Sequence, residues 1–226
     1  MDAFHAALGL LATRDPAFLG IVGLSLTVSL SAVLIAALVG LPLGALLALA
    51  RFPGRDGVVV LLNAMMGLPP VVVGLVVYLL LSRAGPLGPL GLLFTPQAMV
   101  IAQAILVLPI IAALVRQTIA DLWLEYEDQL RSLGVGPARA ALTLLWDGRF
   151  SLVTAVLAGF GRAAAEVGAV IMVGGNIDGV TRTMTTAIAL ETSKGDLPLA
   201  LGLGMVLIAV VAAVNAAAYI FGRLAR

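Results

Sequence analysis

Residues 16–50 read PAFLGIVGLSLTVSLSAVLIAALVGLPLGALLALA, a run without one charged side chain. A helix rises about 1.5 Å per residue, so about 20 apolar residues cross about 30 Å of hydrocarbon. This run is long enough to span a bilayer and too long to stand upright in it. Pro42, between Gly40 and Gly44, supplies a kink. Ser25, Thr27, Ser29 and Ser31 sit among leucine and valine. Their hydroxyls can bond back to helix carbonyls where no water reaches.

Four more apolar runs follow, one of them interrupted by Arg162 and Glu166. The spans are expected at about 18–50, 58–82, 97–116, 150–175 and 197–222, within a single transmembrane unit covering 1–226. Barrel strands are about ten residues long and alternate in polarity; these runs do neither. The expected fold is all-α, a polytopic bundle of about five membrane helices. Composition agrees: 62% of the 226 residues are hydrophobic, 11% are charged, and mean hydropathy is +1.14. Too few polar side chains remain to coat a water-facing domain, which excludes a soluble enzyme, a disordered chain and a nucleic-acid binder.

Other absences narrow the chemistry. There is no cysteine, hence no disulfide, thiolate nucleophile or cysteine-held metal. The single histidine, His5, reads as a surface residue, and no metal site or cofactor is expected. The first fifteen residues show no basic n-region with a cleavage site, so the first span is expected to do the targeting. The segment DAFHAALGLLA at 2–12 is weakly amphipathic and suits the membrane interface. Lys194 is the only lysine and follows serine, so no Gly-x4-Gly-Lys-Ser/Thr phosphate loop exists. The chain is expected to be non-catalytic, with any ATP hydrolysis on another polypeptide.

Charge sets the orientation. Arg14, Arg83, Arg182 and Lys194 fall on one side of a five-span chain. Arg51, Arg55, Arg116, Arg131, Arg139, Arg149, Arg223 and Arg226 fall on the other, which is therefore expected to be cytoplasmic. The N-terminus is then outside and the C-terminus inside a multi-pass protein of the cell membrane.

The inner loop at about 117–149 is the most informative segment. ADLWLEYEDQLRSL places Leu122, Tyr126, Leu130 and Leu133 on one helical stripe, ended by Gly134 and Gly136. Pro137 opens a second helix, PARAALTLLWDG, that stops at Asp147-Gly148. Two readings stand for this helix–turn–helix: a structured connector, or a docking element for a cytoplasmic partner through a short apolar stripe with charged flanks.

Here the chain resembles the permease subunits of ABC importers. Their cytoplasmic loop carries Glu-Ala-Ala, three residues, Gly, then nine residues before Ile-x-Leu-Pro. Gly134 takes the glycine place, Asp128-Gln129-Leu130 the Glu-Ala-Ala place and Leu144 the isoleucine place, while Trp146-Asp147 stands for Leu-Pro. Residues 63–81, NAMMGLPPVVVGLVVYLLL, resemble the Pro-Pro-x-Val-x-Gly span of molybdate- and tungstate-type permeases. Residues 160–196, FGRAAAEVGAVIMVGGNIDGVTRTMTTAIALETSKGD, resemble the oxyanion branch, with wording nearest its tungstate-type members. The resemblance implies a homodimer joined to two copies of a cytoplasmic ABC ATPase and one extracytoplasmic oxyanion-binding protein. It implies import of an oxyanion, tungstate first, with molybdate or sulfate as alternatives. Outside that class stand a gradient-driven secondary transporter and a membrane scaffold.

The resemblance also sorts the candidate residues. Asp128, Arg131, Leu133, Gly134, Gly136, Pro137 and Arg139 form the candidate ATPase-coupling loop. Pro69 and Pro70 remove two N–H donors mid-span, and with Gly74 they mark either a kink or a broken helix lining a pathway. Arg162 and Glu166, four apart, share a helix face; bare charges in hydrocarbon are costly, so they are expected to pair. A latch is favoured over direct substrate contact, because the pair is neutral. Asn176 and Arg182 sit in the outer loop, read either as a turn with a short helix MTTAIALETS or as a surface meeting the binding protein.

Overall fold

The computed structural model describes residues 16–224. The interfacial segment at 2–12, His5 and Arg14 therefore lie outside the described residues. Those described form helices joined by short turns, with no strand among them. In chain order the helices are α1 Pro16–Leu49, α2 Arg55–Met66, α3 Pro70–Leu81, α4 Pro96–Ser132, α5 Pro137–Asp147, α6 Arg149–Ala164, α7 Gly168–Gly174, α8 Met184–Lys194 and α9 Leu197–Leu224. A single 3₁₀ turn, Gly88–Leu90, lies between α3 and α4.

α1 and α4 are the central pair. Their lengths, 34 and 37 residues, follow from uninterrupted apolar sequence, with Pro42 and Pro109 contained inside the helices. They approach closely because α1 presents glycine to α4. A Cβ on Gly44 would stand 2.6 Å from the Ala112 carbonyl oxygen and 2.7 Å from Val115 Cβ. Gly40 meets Ile111 in the same way. Such small-residue seams hold membrane helices together where no hydrophobic drive exists between them. Ser25 Oγ donates to the Ile21 carbonyl and Thr27 Oγ1 to the Gly23 carbonyl, each at 2.8 Å, so α1 hides its own hydroxyls. Beyond its end, Arg55 folds back and Nε donates to the Leu47 carbonyl at 2.8 Å, serving a last-turn acceptor.

Three helices are long and apolar enough to cross a bilayer alone, and up to five spans result if each bent helix pair counts as one. The stretch at 58–82 is not one rod. α2 and α3 meet at 101° across Gly67–Pro69, because Pro69 and Pro70 offer no N–H to continue the ladder. The stretch at 150–175 likewise divides: α6 ends at Ala164 and α7 restarts at Gly168. The helix of the third expected span does not stop at 116. α4 runs on to Ser132, since nothing after Pro109 interrupts its ladder. α5 and α6 then meet at 76° around Gly148.

Buried side chains gather into apolar cores. One contains Val33, Ile111, Val115, Ile119, Leu144 and Phe160, nearest the α4–α5 turn. A second joins α1, α3, α4 and α7 through Val28, Val73, Met99, Leu106 and Val173. A third holds Phe18, Met184, Ala187 and Leu203. The outer surface is apolar too: Leu38 is 67% exposed, Val60 66% and Ile208 72%. Such a surface belongs against lipid or protein, and the molecule is a multi-pass membrane protein.

The seam yields a test. Gly44→Val overpacks α1 against the α4 backbone, a change worth about 1–3 kcal/mol in a tight core. Loss of monodisperse, heat-stable protein in detergent is expected. Gly20→Ala, with nothing within 4 Å of the added carbon, is expected to leave the melting temperature unchanged.

Candidate functional site: a broken-helix joint and an exposed knuckle

The two helix breaks lie side by side. Gly74 of α3 packs on α7 so tightly that a Cβ there would stand 2.8 Å from Ala169 Cα and 3.0 Å from Met172 Cβ. Gly168 answers it, its own added carbon meeting Val71 Cγ2 at 2.9 Å. Pro69, Pro70 and Gly74 are thereby brought to the segment that carries Arg162 and Glu166.

Each break must satisfy the backbone groups that it frees. At the first, the Pro69 carbonyl accepts from Val72 and Val73 N–H, restarting the ladder at once. At the second, the backbone serves part of the need, Glu166 N–H donating to the Ala163 carbonyl at 3.1 Å, and side chains add the rest. Glu166, 3% exposed, turns Oε1 to accept from the Ala169 N–H at 3.0 Å, capping α7 where a helix favours negative charge. Its Oε2 pairs with Arg162 Nη1, so the carboxylate is neutralised as it caps. Thr185 Oγ1 of α8 donates to the Glu166 carbonyl at 2.8 Å. Gln103 Nε2 of α4 donates to the Ala163 carbonyl at 3.1 Å. α8 is fixed in turn: Thr183 and Thr186 form a capping box, and the Met184 N–H donates to Ser25 Oγ of α1 at 2.6 Å.

Gln103, Ser25, Thr183 and Thr185 are site residues that sequence reasoning missed. Gln103 is the one polar side chain between Ala98 and Val115, a signal by itself. Ser25 was read only as a hydroxyl bonding its own helix, which it does while also receiving the Met184 N–H.

Beyond the joint, Asn176 stands in the left-handed region with φ 51° and reaches the Thr186 carbonyl at 3.5 Å. Arg182 pairs with Asp178 at 3.0 Å across the same turn. Neither touches the Arg162–Glu166 pair, so this loop is a separate feature. The expected helix in MTTAIALETS is α8.

The second feature is the knuckle between α4 and α5. Gly134 has φ +67°, and the Val135 N–H reaches back to the Leu130 carbonyl at 3.0 Å, a glycine helix stop. Pro137 then opens α5 at its first position. Asp128, Arg131, Leu133, Gly134, Gly136, Pro137 and Arg139 all lie exposed on this one projection. So do apolar side chains: Leu124 is 79% exposed, Leu133 76% and Trp146 72%. The opposite face is anchored, with Ala140 and Leu144 fully buried in the bundle. Arg149 stacks on Trp146 and Phe150 at 4.9 and 4.6 Å. Glu127 bridges Arg131 and, at 3.7 Å, Arg51 of the α1–α2 turn. The carboxylates of Glu125 and then Asp147 push the Tyr126 hydroxyl above its ordinary pKa, marking a locally negative edge. Exposed apolar side chains on a charged, well-anchored projection suit a protein partner better than water.

Fold and joint together define a polytopic membrane helix bundle whose broken helices are held by buried polar contacts. No family model matches the chain. It is 42% identical over 218 residues to the tungstate uptake system permease protein TupB of Peptoclostridium acidaminophilum, covering 96% of both chains. A probable anion ABC transporter permease protein of Haloferax volcanii is 42% identical over 201 residues, 87% of each chain. TupB of Campylobacter jejuni is 37% identical over 214 residues, 95% of this chain and 90% of that one. Permeases of sulfate and molybdenum transport systems are also similar, at 30% and 29% identity. The chain belongs to the family of ABC transporter permease proteins for anions.

The ion pair gives a prediction. Glu166→Gln leaves Arg162 without its counter-charge, and Arg162→Met leaves Glu166 buried alone. Breaking a fully buried pair costs about 3–5 kcal/mol; less is expected here, because the Arg162 side chain keeps 31% exposure. Each single variant is expected to melt lower than the parent. The double variant should lose less than the two single losses added together, as coupled neighbours do. Additive losses in a detergent melting series would show that the two residues act separately.

Proposed function

We propose that this chain is the membrane-spanning subunit of a tungstate importer, fed from outside by an oxyanion-binding protein and powered by a separate ABC ATPase. The observation that carries this reading is 42% identity, over 96% of both chains, with a tungstate uptake permease, against 27–31% for the molybdenum and sulfate relatives. The missing phosphate loop fits a subunit whose energy arrives from another chain. Two copies would enclose a central passage on a two-fold axis, since one bundle of so few spans offers little wall. The knuckle faces the cytoplasm in this reading, as the arginine excess of the loops supports.

The proposed stroke runs from the knuckle inward. An ATPase gripping the exposed Leu133–Arg139 turn moves α5, whose Ala140 and Leu144 are seated among α4 and α6 residues. α4 is unbroken from Pro96 to Ser132, about 55 Å at 1.5 Å per residue, so it acts as a rod. Gln103 ties that rod to the second helix break, and Gly74 ties α7 to the first. Displacement at the knuckle therefore reaches both breaks through direct contacts. Little positive charge lines the spans, so selection of the anion falls to the binding protein.

The decisive experiment is reconstitution in liposomes with the matching ATPase and binding protein. Tungstate-stimulated ATP turnover and uptake are expected, with weaker responses to molybdate and sulfate. Equal or greater response to molybdate would move the assignment to that branch, and gradient-driven uptake by the chain alone would overturn the reading.

Gly134 tests the coupling. Nothing within 4 Å obstructs a side chain there, so a substitution acts through backbone strain, about 1–2 kcal/mol for a bulky residue at positive φ. Gly134→Val is expected to insert normally yet lose uptake and stimulated ATP turnover. Gly134→Asn, which tolerates the left-handed region, should retain more of both. Full uptake by the valine variant would remove the turn from the mechanism.

A further inference from the structure

The polar joint holds one feature that the hydrogen bonds above leave open. Gln103 is 3% exposed, and while its Nε2 donates to the Ala163 carbonyl, its Oε1 has no protein partner. Turning the amide does not cure this, because it would set its oxygen against the Ala163 carbonyl oxygen at 3.1 Å, two acceptors with no hydrogen between them. A buried amide oxygen without a donor is costly, since it has given up its hydrogen bonds to water and gained none. Gln103 lines a small polar pocket shared with Ser25 and Ser29 of α1, Ala163 of α6, and Thr183 and Thr185 at the start of α8. The pocket has room for about one water molecule. It lies where the three apolar cores adjoin: Ala163 belongs to the first, Ala102 beside Gln103 to the second, and Met184 to the third.

We propose that this pocket is a binding site for a single structural water, held by Gln103 Oε1, the Ser29 hydroxyl and the Thr183–Thr185 hydroxyls. The ligand must bring hydrogen to an acceptor oxygen, which excludes a bare oxyanion; tungstate is also far larger than the space. A cation fails for another reason. The pocket lining has no carboxylate, and the nearby Glu166 is already balanced by Arg162. Burying an uncompensated charge costs far more than burying a water. A water donates to Gln103 Oε1, gives its other hydrogen to a threonine or serine lone pair, and accepts from Ser29. That meets the usual count of about three hydrogen bonds for a buried water. The site lies within the joint, among side chains that hold the second break. It links α1, α4 and α8 beside the second break, and gives the break a partner that can re-orient without leaving a carbonyl bare. Its bearing on transport rests on the function proposed above; its existence does not.

The test is a map of the wild-type complex with its ATPase that resolves ordered waters. Density is expected within about 2.7–3.2 Å of Gln103 Oε1. An empty pocket there overturns the proposal. A melting series in detergent gives an independent arm. Ser29→Ala, removing one partner of the water, is expected to lower the melting temperature by about 2–4 °C. Thr27→Ala, whose hydroxyl serves only its own helix, is the control and should not move it. No shift in Ser29→Ala would count against the site. Replacing sodium with choline in the buffer should leave the wild-type melting temperature unchanged, and a sodium-dependent rise would assign the pocket to a cation instead. None of these readouts depends on which anion is carried, so their failure and the failure of the tungstate assignment are separable.

Discussion

A helix broken inside a membrane exposes carbonyls and amides that no water can serve, and that constraint organises this molecule. Two breaks occur, at Gly67–Pro69 and at Ala165–Val167. The first is nearly self-sufficient, because the Pro69 carbonyl caps the next turn and proline brings no orphan N–H. The second is not. Its groups draw on two other elements, Gln103 on α4 and Thr185 on α8, and on the side chain of Glu166 within the break, itself balanced by Arg162. The ion pair is thus a structural device first. A lone carboxylate would cap α7 equally well but would carry a bare charge into the apolar interior.

Packing follows from the same breaks. Once α3 and α7 are cut free of the helices before them, each is a short apolar piece that must find a neighbour. They find each other through Gly74 and Gly168, where backbone meets backbone too closely for any side chain between them. The second core then forms around them from Val73, Val77, Ala169 and Val173, with Met99 and Leu106 of α4 behind. The unbroken helices α1 and α4 form the frame, and the broken ones are hung on it by specific polar contacts.

Much of this was legible in the residues. Charge-free runs located the membrane helices, the prolines marked the first break, and the spacing of Arg162 and Glu166 required a shared face. The glycine stop at Gly134 and the Pro137 start fixed the knuckle, down to the α5 bounds. What escaped was long-range. Periodicity cannot tell that α4 continues through the charged segment to Ser132, because a change from apolar to amphipathic pattern looks the same with or without a boundary. The second break escaped because Ala165-Glu166-Val167 contains no proline or glycine. It is imposed by the cap that Glu166 provides and by what α7 meets. Gln103 and Ser25 escaped because their partners lie 60 and 159 positions away.

The knuckle and the joint obey opposite rules, and their separation carries functional sense. At the knuckle, apolar side chains are left in the open and held by a rigid base, which is how a surface waits for a partner. At the joint, polar groups are drawn inward and tie α4, α6, α7 and α8 together, which fixes how these helices meet. Apolar packing alone would give no sharp preference between two tilts of α6 against α7. A carboxylate shared between an arginine and a helix N-terminus does, since it must keep both partners or lose both. α4 connects the two regions without a break, so in the proposed transporter a partner that grips the exposed turn acts through one continuous helix on the contacts that hold the second break.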